Sequence, residues 1–565
     1  MKRPESLLLF VLCAAIATAQ PVVNQGGVLN AASYGLDPLP NAGIAQGSIF
    51  TAFGSGLGPA TFQQASGFPL LTSLAGTSIA VKSGGATVNA FMLWTTAGQV
   101  AAILPSQTPV GAATLTLTYG GKASAPVSIT VVRSNFGIFA RNSAGTGPAI
   151  VQNYVSPVAT PLNSPIAPAQ PGQVLILWGT GLGPVSVDET GPPGAVDPGT
   201  DVEVWVGNER ATVLYKGRTP SYPGEDQINF QLPQDVVQGC YVPVAIKAGG
   251  VVSNFGSIAI ASQGSVCSDP HGPAPGDLQR IANGESLKLA WLQLLRENFT
   301  LSASGVTLTQ GKMDIVFGDF FRWDSNAVGQ SVAVSSAGGV ALGTCTVTTG
   351  NTKVFNSMVL RGGPHLNVGT ALNLQGPNGS KSLSRDAAGL YEKNPLGGTA
   401  TLPLISMKSP PYLEPGAYSV DNGTGGADAT PFQATLSIRD STAPLTWTNP
   451  SAIQAIDRSQ DLTVTWTGGD PAREYVIIGG TVVPPALGRP QAMAVLSCAQ
   501  RADAGQIIIP AWVLSALPAS STDPTANSFG VGRAPLLAGY KFSGGSIDAG
   551  YFSYAEMTLQ SVSYR

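Results

Sequence analysis

An internal repeat constrains this chain more than any other feature. The run Gly47-Ser48-Ile49-Phe50-Thr51-Ala52-Phe53-Gly54-Ser55-Gly56-Leu57-Gly58-Pro59 returns as Gly172-Gln173-Val174-Leu175-Ile176-Leu177-Trp178-Gly179-Thr180-Gly181-Leu182-Gly183-Pro184, a constant offset of 125. It continues with Ala86-Thr87-Val88 against Ala211-Thr212-Val213, then Gln99-Val100-Ala101 against Gln227-Ile228-Asn229 at offset 128. Preserved order with small drifts is what loop insertions in a duplicated domain produce. Two units follow, over residues 20–140 and 141–264.

Both units read as β. Ser48 to Phe53, Ser78 to Val81, Ala113 to Thr118 and Val127 to Val132 are short alternating or β-branched runs bounded by Gly, Pro, Ser and Asn. Strands that bury one face must close sheet on sheet, which predicts a sandwich of the immunoglobulin kind. The Gly-x-Gly-Leu-Gly-Pro segment then makes a tight turn after a core strand. A phosphate-binding loop would need a helix to start immediately after it. Pro59-Ala60-Thr61 and Pro184-Val185-Ser186 follow instead, with no helical period.

Composition agrees: of 565 residues, 69 are Gly and 44 Pro, while only 11% are charged. With 29 basic against 32 acidic residues there is no electrostatic footprint for nucleic acid, and two histidines exclude a His-rich metal site. Lys2 and Arg3, the apolar run Leu7 to Ile16 and Ala17-Thr18-Ala19 predict a signal peptide over residues 1–19, cut before Gln20. The run is too short to span a bilayer, and Leu12 before Cys13 argues against a lipoprotein. A soluble or peripherally attached protein outside the cytoplasm is expected, secreted or at the cell surface. Four cysteines remain in an oxidising compartment. Of three connectivities, Cys240 with Cys267 and Cys345 with Cys498 is favoured; four buried thiols are the alternative.

Beyond a Pro-rich linker at Ser268 to Pro275 the sequence predicts an amphipathic helix from Asp277 to Asn298, with Leu287, Ala290, Trp291, Leu294 and Leu295 on one stripe. Linker and helix occupy 265–300. Strand patterns resume at Met313 to Phe317, Ser331 to Val334, Thr344 to Val347 and Gln433 to Ile438. They continue at Leu462 to Thr467, Tyr475 to Ile478, Ala494 to Cys498 and Gln506 to Pro510. These divide into sandwich domains at 301–440 and 441–565, unless a Cys345–Cys498 bridge makes them one compound module. The fold class expected is all-β, tandem immunoglobulin-like sandwiches with one short helix.

The stretch from Val28-Leu29-Asn30-Ala31-Ala32-Ser33-Tyr34, through the two Gly-x-Gly-Leu-Gly-Pro turns, to Gln227-Ile228-Asn229 resembles the duplicated immunoglobulin-like module, akin to TIG/IPT domains, of secreted acidobacterial proteins. Leu413-Glu414-Pro415-Gly416-Ala417-Tyr418-Ser419-Val420, Pro444-Leu445-Thr446-Trp447-Thr448-Asn449 and Thr465-Trp466-Thr467-Gly468-Gly469 are also similar to sequences of that group. The resemblance implies an exported β-sandwich protein and transfers no catalytic residue. The first copy departs from it, reading Gln99-Val100-Ala101 where Gln-Ile-Asn is usual.

Chemistry has few places to sit. His271 and His365 lie in expected solvated loops without a nucleophile elbow. Asp314, Asp319 and Asp324 lie among Phe317, Phe320, Phe321 and Trp323, the one carboxylate cluster a hydrolase could use. Asp421 to Asp428 has oxygen ligands and glycine but no distal bidentate Glu, and reads as a long turn rather than a calcium loop. The three-residue expansion between Tyr215 and Asp226 offers Tyr215, Arg218 and Tyr222 as a binding loop, with Trp205 as a further stacking surface. The leading expectation is a non-enzymatic surface protein for adhesion, assembly or display, needing no cofactor. A glycan-binding accessory protein and a secreted hydrolase are the alternatives. The partners expected are an extracellular polysaccharide or a cell-surface protein.

Overall fold

A computed structural model describes residues 20–303, 306–331, 340–351, 363–399, 409–439, 444–485, 492–520 and 526–565. The expected signal peptide and most of the expected strand Ser331 to Val334 lie outside them. The protein is an all-β chain of immunoglobulin-like sandwiches.

The first repeat comprises β1 (Val22–Asn30), β2 (Ile49–Ser55), β3 (Thr77–Ser83), β4 (Phe91–Thr95), β5 (Gln99–Ile103), β6 (Gly111–Tyr119) and β7 (Val127–Val132). One sheet runs β1-β2-β5-β4 and the facing one carries β7-β6-β3. Their inward residues alternate along each strand, Phe50 and Ala52 on β2 meeting Ile79 and Val81 on β3 and Leu115 and Leu117 on β6. Burying each such large side chain contributes roughly 1.5–3 kcal/mol.

The second repeat contains β8 (Val151–Asn153), β9 (Val174–Thr180), β10 (Val202–Val206), β11 (Glu209–Arg218), β12 (Asp226–Gln231), β13 (Gly239–Ala248) and β14 (Gly256–Ile260). Strand β11 pairs β10 at its start and β12 at its end, with a bulge between Val213 and Tyr215. A bulge bends a strand and increases its twist, so one strand serves both layers.

The predicted long helix is two elements. Helix α1 covers only Pro275–Ala282, burying Leu278 and Ile281. The rest of the stripe lies in strand β15 (Leu287–Ala303), which forms a hairpin with β16 (Val306–Trp323). Leu287, Leu289 and Trp291 pack toward α1 and Cys240, while Ala290, Leu292 and Leu294 pack toward Phe320 and Tyr391. A strand buried on both faces has apolar residues at every spacing, the helical one included, so the period misleads.

Following these come β17 (Thr344–Asn351), β18 (Ala371–Gly376), β19 (Gly379–Ser384), β20 (Tyr391–Gly398), β21 (Gly416–Asp421), β22 (Gln433–Ile438), β23 (Leu462–Thr467), β24 (Glu474–Val482), β25 (Ala492–Arg501), β26 (Gln506–Ile509), β27 (Ser528–Pro535) and β28 (Ile547–Ser561). A single sheet runs β17-β25-β24-β27-β28-β15-β16-β20, and β19-β18-β21-β22 form a smaller one. The boundary expected near residue 440 thus falls between strands that share a sheet. The Tyr418 hydroxyl donates to Glu414 O at 2.7 Å and accepts from Glu414 N at 2.8 Å, a tyrosine corner that explains the Leu-Glu-Pro-Gly-Ala-Tyr segment.

Both expected disulfides form, Cys240–Cys267 and Cys345–Cys498. The second joins directly opposed positions of β17 and β25. One apolar cluster unites Leu39 of the first repeat, Phe255 of the second, and Trp466 and Phe529 of the C-terminal body.

Candidate functional site

The inserted loop does not present Arg218 to solvent. Arg218 and Asp226 are 1% and 0% exposed, at opposed ends of β11 and β12. Nη1 of Arg218 pairs with Oδ1 of Asp226, while Nη2 donates to Gly47 O at 2.9 Å and Gly183 O at 2.7 Å. The other carboxylate oxygen accepts from Gly181 N and Leu182 N, each at 2.7 Å. Burial pushes the Asp226 carboxyl up; Arg218 and the two amides offset part of this. A Cβ at Gly47 would collide with the guanidinium, which accounts for glycine at the head of the first repeated motif.

This arrangement also accounts for the shift in repeat offset. In the first copy the Leu57 amide is satisfied by Ala97 O at 3.0 Å. In the second, the corresponding Leu182 amide is satisfied by a side-chain carboxylate reached through the longer loop. A backbone acceptor has been exchanged for a charged one, and the charge recruits an arginine that spans to the first repeat. Ser106 adds to the joint: its N donates to Glu189 Oε2 at 2.8 Å, its hydroxyl donates to Glu189 Oε1 at 2.6 Å and accepts from Val185 N. Thr180 Oγ1 accepts from Ile49 N and donates to Gly224 O.

The other expected binding residues separate. Trp205 stacks on Trp512 at 5.0 Å and 17°, and Trp512 stacks in turn on Phe255 at 5.6 Å. That three-ring pile joins the second repeat to the C-terminal body, and nothing in the sequence around Trp512 signals it. Tyr222 is 42% exposed and meets Phe68 of the first repeat edge-on. Tyr215 lies half-buried on the outer face of β11, its hydroxyl donating to Arg218 O at 2.6 Å.

The carboxylates near Phe317 are similarly dispersed. Asp314 receives both Nε and Nη2 of Arg296, at 2.8 and 3.0 Å, and the amides of Tyr412 and Leu413. Asp319 accepts from or donates to Nδ1 of the half-exposed His365 at 2.7 Å. That bond raises the His365 pKa, and burial raises that of Asp319. Asp324 caps the one-turn helix Ser325–Val328. Five residues of strand separate Asp314 from Asp319, about 17 Å and opposite faces, beyond the reach of a glycosidase pair. His271 is buried rather than solvated: Nε2 bonds Val340 O at 2.8 Å and the ring lies against Tyr475. In the Asp421–Asp428 turn both aspartates accept backbone amides, Gly423 N and Asn367 N. Among the described residues there is no cluster of His, Cys, Asp and Glu able to hold a metal, and no helix long and apolar enough to cross a membrane.

An open groove of about 760 Å³ lies against the first repeat, floored by Lys82, Thr114 and Ser128 and walled by Gly26, Asp37 and Gly43. It contains no aromatic ring.

No protein-family model matches the sequence, and no curated protein is similar to it. Solved structures with partial likeness include domains 5-6 of the S-layer protein SbsC, at 12% identity over 43% of this chain and 100% of that one, with a TM-score of 0.16. A Bacteroides ovatus SGBP-B from a mixed-linkage glucan utilization locus, in complex with a heptasaccharide, shares 8% identity over 88% and 97%, with a TM-score of 0.12. An ice-binding adhesin of an Antarctic bacterium shares 11% over 96% and 99%, at 0.11.

Proposed function

We propose that the protein is a non-enzymatic, exported body of fused β-sandwiches that serves adhesion, assembly or display outside the cytoplasm. The observation that carries this reading is the commitment of its chemically capable side chains to structure. Arg218, Asp226, Asp314, Arg296 and His271 are buried in contacts that satisfy backbone groups or join modules. A rigid multi-module scaffold needs such joints; an enzyme needs convergent groups facing a cleft. The two disulfides support an oxidising destination.

Fractionation of producing cells tests this reading. The protein is expected in the envelope or the medium, with no alkylatable thiol until reductant is added. Recovery from the cytoplasm with free thiols at Cys240, Cys267, Cys345 and Cys498 overturns it. Turnover of a chromogenic glycoside or ester by purified protein, abolished by Asp319→Asn, favours the hydrolase instead.

A further inference from the structure

The duplication gives one sheet face two different fates. In the first repeat the outward residues of β2 and β5, among them Ile49, Ala101 and Ile103, are buried in an apolar cluster with Leu70 and Leu93. A Cβ at Gly224 of the second repeat would strike both isoleucines, so the second repeat closes on this face. The matching face of the second repeat stays open. Strand β12 lies between β9 and β11, and its outward residues are Gln227, Asn229 and Gln231, all amides. Asn229 stands where the first copy has Ala101, the departure noted in the sequence.

Aromatic rings flank that amide strand on both sides. Trp178 of β9 is opposite Gln227, and Tyr215 of β11 is opposite Asn229. Tyr154, 39% exposed, extends the register of β8 along β9, its amide donating to Val174 O. Four neighbouring strands at about 4.8 Å spacing and four residues along β9 give a face of roughly 14 by 14 Å. Gln227 Nε2 donates to Asn229 Oδ1 at 2.8 Å, and Gln231 Nε2 to Gly172 O at 3.0 Å. These bonds hold the amides in place while leaving each acceptor or donor capacity to offer. Between Arg141 and Asp188 the chain contains no charged residue, and β8, β9 and β12 contribute no ionised group to this face. On β11, Lys216 stands in the register of the inward Ile228 and pairs with Asp197 at the sheet edge beside Tyr215.

We propose that this outer face of β8, β9, β12 and β11 binds an uncharged polysaccharide chain. Flanking rings stack on the apolar faces of sugar rings, and the central amides exchange hydrogen bonds with hydroxyls. Of the two middle strands, β12 presents only amides while β9 presents Val174, Ile176 and Trp178. This interleaving of apolar and amide groups suits the apolar faces and hydroxyl edges of a sugar chain better than the apolar centre and polar rim of a protein interface. A charged polymer would meet no counter-charge along β8, β9 and β12, and at the β11 edge Lys216 is already paired with Asp197. The inference deepens the reading of the protein as a non-enzymatic adhesive body outside the cytoplasm by naming the class of polymer it adheres to, and rests on it.

Affinity electrophoresis of the full mature protein through gels containing hydroxyethyl cellulose, galactomannan, xylan or alginate tests it. Retardation by at least one neutral polymer and not by alginate is expected. Tyr215→Ala, and separately the double variant Gln227→Ala with Asn229→Ala, should each raise the apparent Kd at least tenfold in protein whose far- and near-UV circular dichroism matches the unaltered chain, whatever Tm is lost with the Tyr215–Arg218 bond. Lys82→Ala, in the groove of the first repeat, should leave binding unaltered. Equal migration in every neutral gel, or retardation by alginate alone, overturns the ligand class. Neutral-polymer binding that survives both face variants overturns the site while leaving the binder reading intact, and cell fractionation tests export independently.

Discussion

Arg218 carries more of the molecule than its place in an inserted loop indicates. It neutralises a fully buried carboxylate and also satisfies the carbonyls of Gly47 and Gly183. Removing one partner of a buried pair leaves an uncompensated charge, so Arg218→Ala should cost about 3–5 kcal/mol, read from the urea midpoint. Asp226→Asn, which keeps an acceptor for Gly181 N and Leu182 N, should cost less. Beside this pair, burial and the Asp226 charge push Glu225 up to about 7. The folded state therefore holds a proton that the unfolded chain releases above its ordinary value near 4.5. Stability should fall as pH rises from about 4.5 to about 7 and level off above, by up to roughly 1.4 kcal/mol per pH unit. Glu225→Gln should flatten that part of a Tm against pH profile; an unchanged slope would refute the assignment. The sequence showed that the segment from Tyr215 to Asp226 contains a three-residue expansion, but not which way it pointed. Direction depended on Gly47, 171 residues away, offering both room and a carbonyl.

At the scale of elements, the one-face-buried strands of the repeats show where local pattern suffices and the β15–β16 hairpin shows where it fails. Repeat strands such as Val127–Val132 were legible because only one of their faces is buried and alternation survives. Strand β15 was not, because both faces are buried and its pattern is filled in. Among the described residues strand β17 ends the sheet with β25 beside it, and Cys345 is tied to Cys498 in register. The closed loop spans 153 residues, for which the chain-entropy estimate is about 5 kcal/mol, an upper figure. Reduction should release this edge before the hairpin. Hydrogen exchange with and without reductant should show protection lost first over 344–351 and retained over 289–295; the reverse order would contradict the topology.

For the whole molecule, the issue is whether the sandwiches move as beads or as one body. Buried joints favour one body: the Arg218 node between repeats, and the Trp205–Trp512–Phe255 pile between the second repeat and the C-terminal body. Trp512→Ala should remove about 3–5 kcal/mol of packing at that contact. It should split a single calorimetric transition in two and raise the radius of gyration; a single unshifted transition would show independent modules. By itself the sequence determined the duplication, the β character and the turn after each core strand, because these rest on local conformation and on repetition along the chain; the cysteine pairing it only favoured among three. Tertiary structure alone decided which copy's sheet face is closed, whether Trp205 is a surface or a joint, and that strands on both sides of residue 440 share a sheet. Those outcomes depend on which surfaces meet across long chain separations, and no periodicity records that.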